Sequence, residues 1–311
     1  MALIGLREDK LKLILFGGKG GVGKTTFATS TGLYLAEHFK TLLFSTDPAH
    51  SLSDSLGQKI GDEIIEVKGI KNLSALEVSA EKALSKFKAD YEDEIKKLFD
   101  TSTYLDQDDI DTIFDLPIPG IDEVMGFRTI VDLIEEGKFE KYVVDSAPTG
   151  HALRLITLPE LLDEWIKVLA KMRWKYRYLV KRFSGKYKHD EADEFLIDMK
   201  KTVKRIEGLL RDSQRCEFIA VTIPEDMAIL ETERLLESLG KYGMKVKQLV
   251  INNVLKSNGC NFCRERKKEQ EKYINQIRKK FSDLNTTITP LQPREVKGLG
   301  ALNNFKKQLF N

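Results

Sequence analysis

Short apolar runs alternate with amphipathic stretches along most of this chain. Continuously apolar, β-rich runs occupy residues 11–16, 41–46, 73–79, 142–146, 216–223, 246–254 and 286–289. Helix-like stretches separate them, most clearly at residues 25–39 and 231–243. Strands that are apolar throughout, rather than at alternate positions, are typical of a parallel sheet covered by helices on both faces. The pattern therefore predicts an α/β fold with a doubly wound, mainly parallel sheet.

Two segments interrupt this alternation, and both are predicted to be helical. The first, residues 81–134, carries apolar side chains at helical spacing: Leu84, Phe87, Tyr91, Ile95 and Leu98. The second, residues 159–213, has a continuous apolar stripe made of Leu161, Trp165, Val168, Met172, Tyr176, Leu179 and Phe183. We predict that the two segments form an inserted helical subdomain. The α/β core is then predicted to consist of residues 1–80, 135–158 and 214–311.

Composition and charge restrict the class of protein. The 311 residues are 41% hydrophobic and 32% charged, and a net charge of +2 argues against binding nucleic acid with the whole surface. No stretch reaches the roughly 18 consecutive apolar residues of a membrane span, and the N-terminus does not resemble a secretory signal. Three cysteines do not build a disulfide framework. These features predict a cytoplasmic protein.

A glycine-rich loop near the N-terminus carries the strongest chemical signal. Residues 18–25 fit the pattern G-x-x-x-x-G-K-[ST] between a predicted strand and a predicted helix, which is the arrangement of a phosphate-binding loop. Glycines let backbone N–H groups converge on phosphate oxygens, and the following helix adds its positive end. Lys24 is predicted to bind the β- and γ-phosphates, and the Thr25 hydroxyl to bind Mg²⁺. The predicted nucleotide-binding residues of the loop are Gly18, Lys19, Gly20, Gly21, Val22, Gly23, Lys24, Thr25 and Thr26.

Lys19 is a second lysine in this loop, and the phosphate-binding geometry does not require it. It is either an ordinary solvated lysine or a cation that reaches the nucleotide of another subunit, as an arginine finger does in trans.

Two aspartates follow predicted strands, where α/β proteins place their chemistry. Asp47 follows the second strand and could orient an attacking water, although a role in capping a helix or a turn is the common alternative. Asp145 ends a later strand and is predicted to hold Mg²⁺ through a water. The loop at residues 148–150 behind it could sense the γ-phosphate.

Cys260 and Cys263 form a C-x-x-C pair at metal-ligand spacing. A structural Zn²⁺ needs four ligands, and the sequence has no second pair. The economical solution is one zinc shared by two chains across a two-fold axis. A redox dithiol and an inert pair are the alternatives, and the motif is not expected to open a helix after a strand as thioredoxin's does. Cys216, at the start of a predicted buried strand, is expected to act as a small apolar side chain.

Taken together, these motifs resemble one family. The loop GKGGVGKTT resembles the deviant Walker A loop of the dimeric P-loop ATPases that include the signal-recognition, MinD and ArsA proteins. The stretches STDPAHSLSD and DSAPTGHALRLITLP narrow the resemblance to the ArsA-like branch. That branch contains the arsenite-pump ATPase and the ATPase that targets tail-anchored membrane proteins. The resemblance covers the whole α/β core, including IPEDMAILETERL, VINNV and LQPREVKGLGAL.

The resemblance implies an ATPase that hydrolyses ATP with Mg²⁺ and works as a homodimer. It implies that Lys19 contacts the nucleotide across the dimer interface, that Asp47 activates water and that Asp145 serves the magnesium site. It also implies that Cys260 and Cys263 bind a dimer-bridging zinc. Further nucleotide contacts are implied for Glu225 at the dimer interface and, around the base and ribose, for Asn252, Pro290, Gln292 and Pro293.

For the whole protein, the resemblance implies a factor that binds hydrophobic transmembrane segments of tail-anchored proteins and delivers them to the membrane, where a receptor is a possible further partner. Two helical insertions side by side in a dimer would form an apolar groove for such a helix. The remaining faces of the second insertion are basic, with nine Lys or Arg and no acid between Lys167 and Lys188. These cations are expected to be mostly solvated; contact with anionic lipids and pairing with the acidic residues 106–115 are the alternatives.

Two other functions compete with targeting. An arsenite-stimulated ATPase of an efflux pump would need a cluster of soft thiolates, which three cysteines with one close pair supply poorly. A membrane-surface switch would use the short basic tail, residues 301–311, as an amphipathic anchor. Packing of that tail as a terminal helix is the favoured interpretation.

Overall fold

The computed structural model describes residues 3–45, 51–78, 121–145, 191–256 and 259–310, with single helical positions between 82 and 89 and between 163 and 182. The chain divides into two compact units. The first comprises residues 1–79, 132–156 and 209–311, and the second residues 80–131 and 157–208. In the part of the chain that is described, no helix combines the length and the apolar character that crossing a lipid bilayer requires.

The first unit is built on one eight-stranded sheet. Its strands, in chain order, are β1 (Leu13–Gly17), β2 (Thr41–Ser45), β3 (Ile65–Glu66), β4 (Leu73–Glu77), β5 (Lys141–Asp145), β6 (Cys216–Thr222), β7 (Val246–Val254) and β8 (Asn285–Pro290). Their spatial order is β3-β4-β2-β5-β1-β6-β7-β8. All neighbours pair in parallel except the short edge strand β3, which runs antiparallel to β4.

Seven helices are described, and their bounds are α1 (Lys24–Leu35), α2 (Ser51–Leu56), α3 (Ile121–Glu136), α4 (Glu191–Arg211), α5 (Asp226–Lys241), α6 (Asn261–Lys280) and α7 (Gly298–Phe310). The predicted α/β class, the seven predicted strands and the two clearest predicted helices are confirmed. β3 was not predicted from the sequence, because two residues are too few to show a periodicity. The apolar stripes predicted for the two insertions lie outside the described residues.

The register of the central strands brings the functional loops to one edge of the sheet. Asp145, the last residue of β5, is level with Phe16 in β1 and with Ser45 in β2. Gly17, where the phosphate loop begins, is level with Ala220 in β6. These strands are parallel, so their carboxyl ends meet where the chain changes direction across the sheet, which is where α/β proteins bind ligands.

The C-terminal helix α7 is part of the core. Leu302, Phe305 and Leu309 are 0–3% exposed, and they form one face of the helix. Phe305 makes an edge-on contact with Phe27 of α1, with ring centroids 5.2 Å apart. The expectation that this segment packs as a terminal helix is confirmed, and its apolar face is already occupied in the folded chain.

Candidate nucleotide site

The glycine-rich loop leaves a fully buried strand and enters a helix, as the motif requires. Gly23 caps the N-terminus of α1 with a φ of +101°, and Gly21 has a φ of +77°. A Cβ at Gly18 would lie 2.1 Å from the carbonyl oxygen of Val221, and one at Gly23 would lie 2.7 Å from Nδ2 of Asn252. Only glycine fits both positions, so the backbone has the close packing and left-handed turns of a phosphate cradle.

Lys24 is the first residue of α1, and only 7% of it is exposed. Its Nζ donates a hydrogen bond of 3.1 Å to the backbone carbonyl of Lys19, so the side chain folds back across its own loop. The first turn of α1 contains no acidic residue that would neutralise the positive end of the helix. The Lys24 ammonium group and the positive N-terminal end of α1 therefore lie close together, which favours the binding of a phosphate there.

Oxygen-bearing side chains line the next part of the site. The Thr25 hydroxyl donates to Ser51 Oγ at 3.4 Å, and Ser51 Oγ donates to Asp145 Oδ2 at 3.3 Å. Asp145 is 1% exposed. Two hydroxyls and a carboxylate are the kind of donor set that a hard cation such as Mg²⁺ prefers. Ser51 was missed from the sequence, because its position beside Asp145 depends on a contact between residues 94 positions apart.

An open cavity of about 370 Å³ adjoins these hydroxyls, between the start of α1, helix α2 and residues 295–297. Lys297 Nζ lies 3.5 Å from Asp54 Oδ1 and so joins the C-terminal segment to α2 across the cavity. Both side chains are largely exposed, so this ion pair adds little stability.

Lys19 makes a specific contact within its own chain. Its Nζ lies 3.2 Å from Oε1 of Glu231 on α5, and 36% of the lysine side chain is exposed. Lys19 is thus not an ordinary solvated lysine in this conformation. Glu231 was missed from the sequence because it looks like any surface acid of an amphipathic helix. Whether Lys19 also reaches a second nucleotide stays a prediction.

Glu225 caps the N-terminus of α5 by position, without a capping hydrogen bond from its side chain. The carboxylate instead accepts a hydrogen bond of 2.9 Å from Arg266 on α6. Both side chains are about half exposed, at 48% and 47%. The pair lies on the surface, where its hydrogen bond can be exchanged for another at small cost.

Asn252 lies directly behind the phosphate loop, with 7% of its surface exposed. Its Nδ2 donates to the backbone carbonyl of Val22 at 2.8 Å, and its Oδ1 accepts a hydrogen bond of 2.8 Å from the Thr289 hydroxyl. These two bonds connect β7 and β8 to the loop. The predicted contact with adenine stays a prediction, and bracing of the loop is the role that the contacts of Asn252 support directly.

The remaining predicted contact residues differ in how they are placed. Gln292 donates to the backbone carbonyl of Pro290 at 3.0 Å and to Gln308 Oε1 on α7 at 3.1 Å, while Pro293 is exposed. Asp47 and residues 148–150 lie outside the described residues. The register places the strands that precede them, β2 and β5, side by side.

The cysteine pair occupies the start of a helix. Cys260 is the N-cap of α6, and its Sγ lies 3.0 Å from Cys263 Sγ. The expectation that this motif does not open a helix after a strand was wrong: β7 precedes it and α6 begins within it. The helix was overlooked because its exposed faces are mostly charged, with only Gln270, Ile274 and Ile277 buried.

The two thiols also differ in pKa, because they occupy different positions at the start of the helix. Hydrogen bonds from the Cys263 thiol and from the Cys263 backbone N–H lower the pKa of Cys260. Donating to Cys260 raises the pKa of Cys263. Cys216 is different, because burial in β6 raises the pKa of its thiol and keeps it protonated. Within the described ranges, no three His, Cys, Asp or Glu side chains meet as a complete metal site.

Comparison with known proteins identifies close similarity over nearly the whole chain. The profile of the family described as anion-transporting ATPase matches residues 11–311. "ATPase ASNA1 homolog 1" of Paramecium tetraurelia is 36% identical over 315 residues, which cover 98% of this chain and 94% of that protein. "ATPase get3" of Pyrenophora tritici-repentis is 33% identical, with 98% and 92% covered. "ATPase ASNA1 homolog" of Dictyostelium discoideum is 34% identical, with 98% and 91% covered.

Proposed function

This chain belongs to the ArsA family of anion-transporting ATPases, and from that premise we propose that it targets tail-anchored membrane proteins in the cytoplasm. As a member of this family it is an ATPase that uses ATP with Mg²⁺. The observation that carries the targeting proposal is its similarity to the get3 and ASNA1 ATPases over 98% of its length. The chain also covers 91–94% of these relatives.

The arsenite alternative is not favoured. Binding of As(III) requires several soft thiolates close together. Burial holds Cys216 in its protonated form within β6, which leaves only Cys260 and Cys263. Two thiols at the exposed start of a helix are a poor basis for an efflux function.

The residues of the candidate site are suited to bind ATP as the substrate. The glycine cradle and the N-terminus of α1 are suited to hold the phosphates, and Lys24 to neutralise the charge that develops on them. Thr25 and Asp145 would hold Mg²⁺, which would polarise the phosphoryl oxygens. The Ser51 hydroxyl bonds to Asp145 and Thr25, so we assign it to positioning these two groups. Asp47 remains the proposed residue that orients the attacking water.

We propose that Lys19 of one subunit contacts the nucleotide that is bound by the other subunit. To serve another nucleotide, it must exchange Glu231 for a phosphate oxygen. The ion pair that it gives up is about one third exposed and therefore contributes at most about 1 kcal/mol. A nucleotide phosphate carries more negative charge than the Glu231 carboxylate and accepts charge-assisted hydrogen bonds, so the exchange is favourable. The Glu225–Arg266 pair is equally exchangeable, which agrees with a role for Glu225 at the same interface.

Zinc is proposed for the cysteine pair. Two thiols at a helix start, the exposed Cys260 with a lowered pKa and the partly exposed Cys263, can supply half of a tetrahedral thiolate site. A second copy of the chain would supply the other half. We expect about one zinc per two chains, measured by metal analysis of the dimer separated by mass. Cys260→Ser/Cys263→Ser should lose the zinc and weaken dimerisation; a monomeric wild-type protein without zinc would contradict this proposal.

The targeting proposal is tested by loading a defined client. A tail-anchored protein with a cross-linkable residue in its transmembrane helix is synthesised in the presence of the purified protein and ATP. We expect a cross-link to the second unit, residues 80–131 and 157–208, and protection of the helix from aggregation. Transfer of the client into membranes is then measured after ATP hydrolysis.

Matched controls distinguish client targeting from nonspecific hydrophobic binding. A client whose transmembrane helix is interrupted by charged residues should not be bound, and Lys24→Ala should fail to couple transfer to ATP. If the wild-type protein hydrolyses ATP but neither binds nor shields the intact helix, the targeting proposal is wrong while the ATPase assignment stands.

A further inference from the structure

A stripe of aromatic and basic side chains is exposed on the second unit. The described residues between 163 and 182 are all helical, and most of them follow one another at intervals of three or four positions, which places them on one face. The exposed stripe consists of Lys167, Lys171, Trp174, Tyr178, Lys181 and Arg182. In chain order, these exposed residues have cations at both ends and aromatic rings in the middle.

The two rings are unusual for a surface. Trp174 is 67% exposed and Tyr178 is 54% exposed. Their rings stack on each other, with centroids 6.1 Å apart and planes inclined by 25°. Such a pair presents a continuous apolar platform with polar N–H and O–H groups at its edges. Exposed tryptophan and tyrosine side chains are enriched at the boundary between water and lipid, where the apolar part of the ring contacts lipid and its polar group contacts water.

The charges around the platform have one sign. Lys171, Lys181 and Arg182 are exposed, and the only acid described on this face, Asp163, lies at its start and pairs with Lys167 at 2.6 Å. Long basic side chains can extend away from an apolar surface and keep their charges in the headgroup layer. The platform and its flanking cations thus match an anionic membrane surface in both polarity and charge.

The geometry points to a lipid-binding face: we infer that the stripe from Lys167 to Arg182 docks the protein on an anionic bilayer surface, with Trp174 and Tyr178 in the interface. This function goes beyond the binding of a client helix. This docking requires neither a client nor a receptor. It would hold the ATPase itself at the membrane by direct contact with phospholipid headgroups. The attraction is electrostatic in part, so salt must weaken it.

The test is flotation of the full-length protein with vesicles of phosphatidylcholine, with and without phosphatidylserine, in the absence of client and receptor. We expect binding only to the anionic vesicles, with a decrease as salt is raised. Each charge near an anionic bilayer changes the affinity about fivefold, so Lys171→Glu/Lys181→Glu should lower it by about a hundredfold or more. Trp174→Ala/Tyr178→Ala should lower it at least about tenfold at unchanged charge.

A matched control is available on α4, where Lys200 and Lys204 are exposed four positions apart in the same unit. Lys200→Glu/Lys204→Glu makes the same change of net charge and should retain most of the vesicle binding. All variants should keep the wild-type ATPase rate and melting temperature, since all of the substituted side chains are exposed.

Three results would overturn the inference. One is an absence of wild-type binding to anionic vesicles. Another is equal loss in the α4 control, which would show that only net charge matters. The third is that the aromatic variant binds vesicles normally but fails to capture a client helix, which would make the stripe a protein-binding surface. None of these results bears on whether the protein hydrolyses ATP. The first two leave the targeting proposal untouched, and the third would support it by placing client binding on the stripe.

Discussion

The phosphate loop has two halves that differ in how they are held. Its inner half, residues 22–25, is packed into the core: Val22 is fully buried, Lys24 is 7% exposed, and Asn252 bonds to the Val22 carbonyl. Its outer half, residues 19–21, is held by two polar contacts of Lys19: the ion pair with Glu231 and the hydrogen bond that its backbone carbonyl accepts from Lys24. Gly20 and Gly21 are exposed.

This difference indicates a division of labour between the two lysines. The inner half has its shape before a nucleotide arrives, so its groups can bind phosphate without reorganisation. The outer half carries a cation whose present partner is a surface carboxylate and can be replaced. A fixed lysine suits the nucleotide of its own loop, and an exchangeable one suits the nucleotide of a neighbour. Removing each support in turn tests this interpretation.

The largest effect is expected for Lys19→Ala. If Lys19 stabilises charge on the neighbouring nucleotide, its loss should lower kcat about a thousandfold, as the loss of an arginine finger does. Nucleotide affinity, measured by calorimetry, should change by only a few fold, because the inner half is intact. Wild-type turnover in this variant would contradict the division of labour. Mixing it with a chain that carries Lys24→Ala should restore part of the activity, since one composite site then keeps both lysines.

Lys24→Ala should act on binding instead. The change removes a charge-assisted contact to phosphate, so we expect nucleotide affinity to fall about a hundredfold. Lys24→Arg is the control that keeps the charge while changing its shape. An affinity within a few fold of wild type for Lys24→Ala would show that the backbone cradle and helix end suffice.

Asn252→Ala tests the support behind the inner half. The Val22 carbonyl and the Thr289 hydroxyl lose a partner in a buried place, which should cost about 1–3 kcal/mol of unfolding free energy. Nucleotide affinity should fall about tenfold as the loop loosens. Thr289→Val removes only the distant hydrogen bond and should cost less. The opposite outcome has two parts: without nucleotide, Asn252→Ala keeps the wild-type free energy of unfolding, and in binding measurements it no longer prefers ATP over GTP. In that case Asn252 contacts the base and does not brace the loop.

The smallest effect is expected for Glu231→Gln. Release of Lys19 from a partly exposed ion pair is worth at most about 1 kcal/mol, so turnover should rise by no more than about fivefold. Glu233→Gln is a matched control on the same helix, because Glu233 pairs at 2.5 Å with Lys280 rather than with the loop. Equal effects of both changes would show that Glu231 has no special connection to Lys19.

Much of the fold follows from local sequence, because buried parallel strands are apolar at every position. β1, β2, β5 and β6 are buried at all five or seven of their residues, and their runs were recognisable without any long-range information. The glycines of the phosphate loop were equally predictable, since the motif itself demands them.

The side chains that complete the site could not be predicted in the same way. Ser51 and Glu231 are ordinary residues of amphipathic helices, and only the packing of the sheet brings them to Asp145 and Lys19. α6 was missed for a related reason: a helix that buries few residues has a weak apolar period. Its clearest signal, Ile274 and Ile277 in a run of charges, is recognisable only in retrospect.

The packing of α7 has a consequence for biosynthesis. Phe305 covers Phe27, and Lys306 donates to Glu37 at 2.8 Å across 269 positions of sequence. During translation, the helix behind the phosphate loop therefore emerges long before the segment that covers it. The apolar side of that helix must stay shielded by other means until residues 298–310 leave the ribosome. The nascent chain of this protein is thus expected to need a holding chaperone of its own during synthesis.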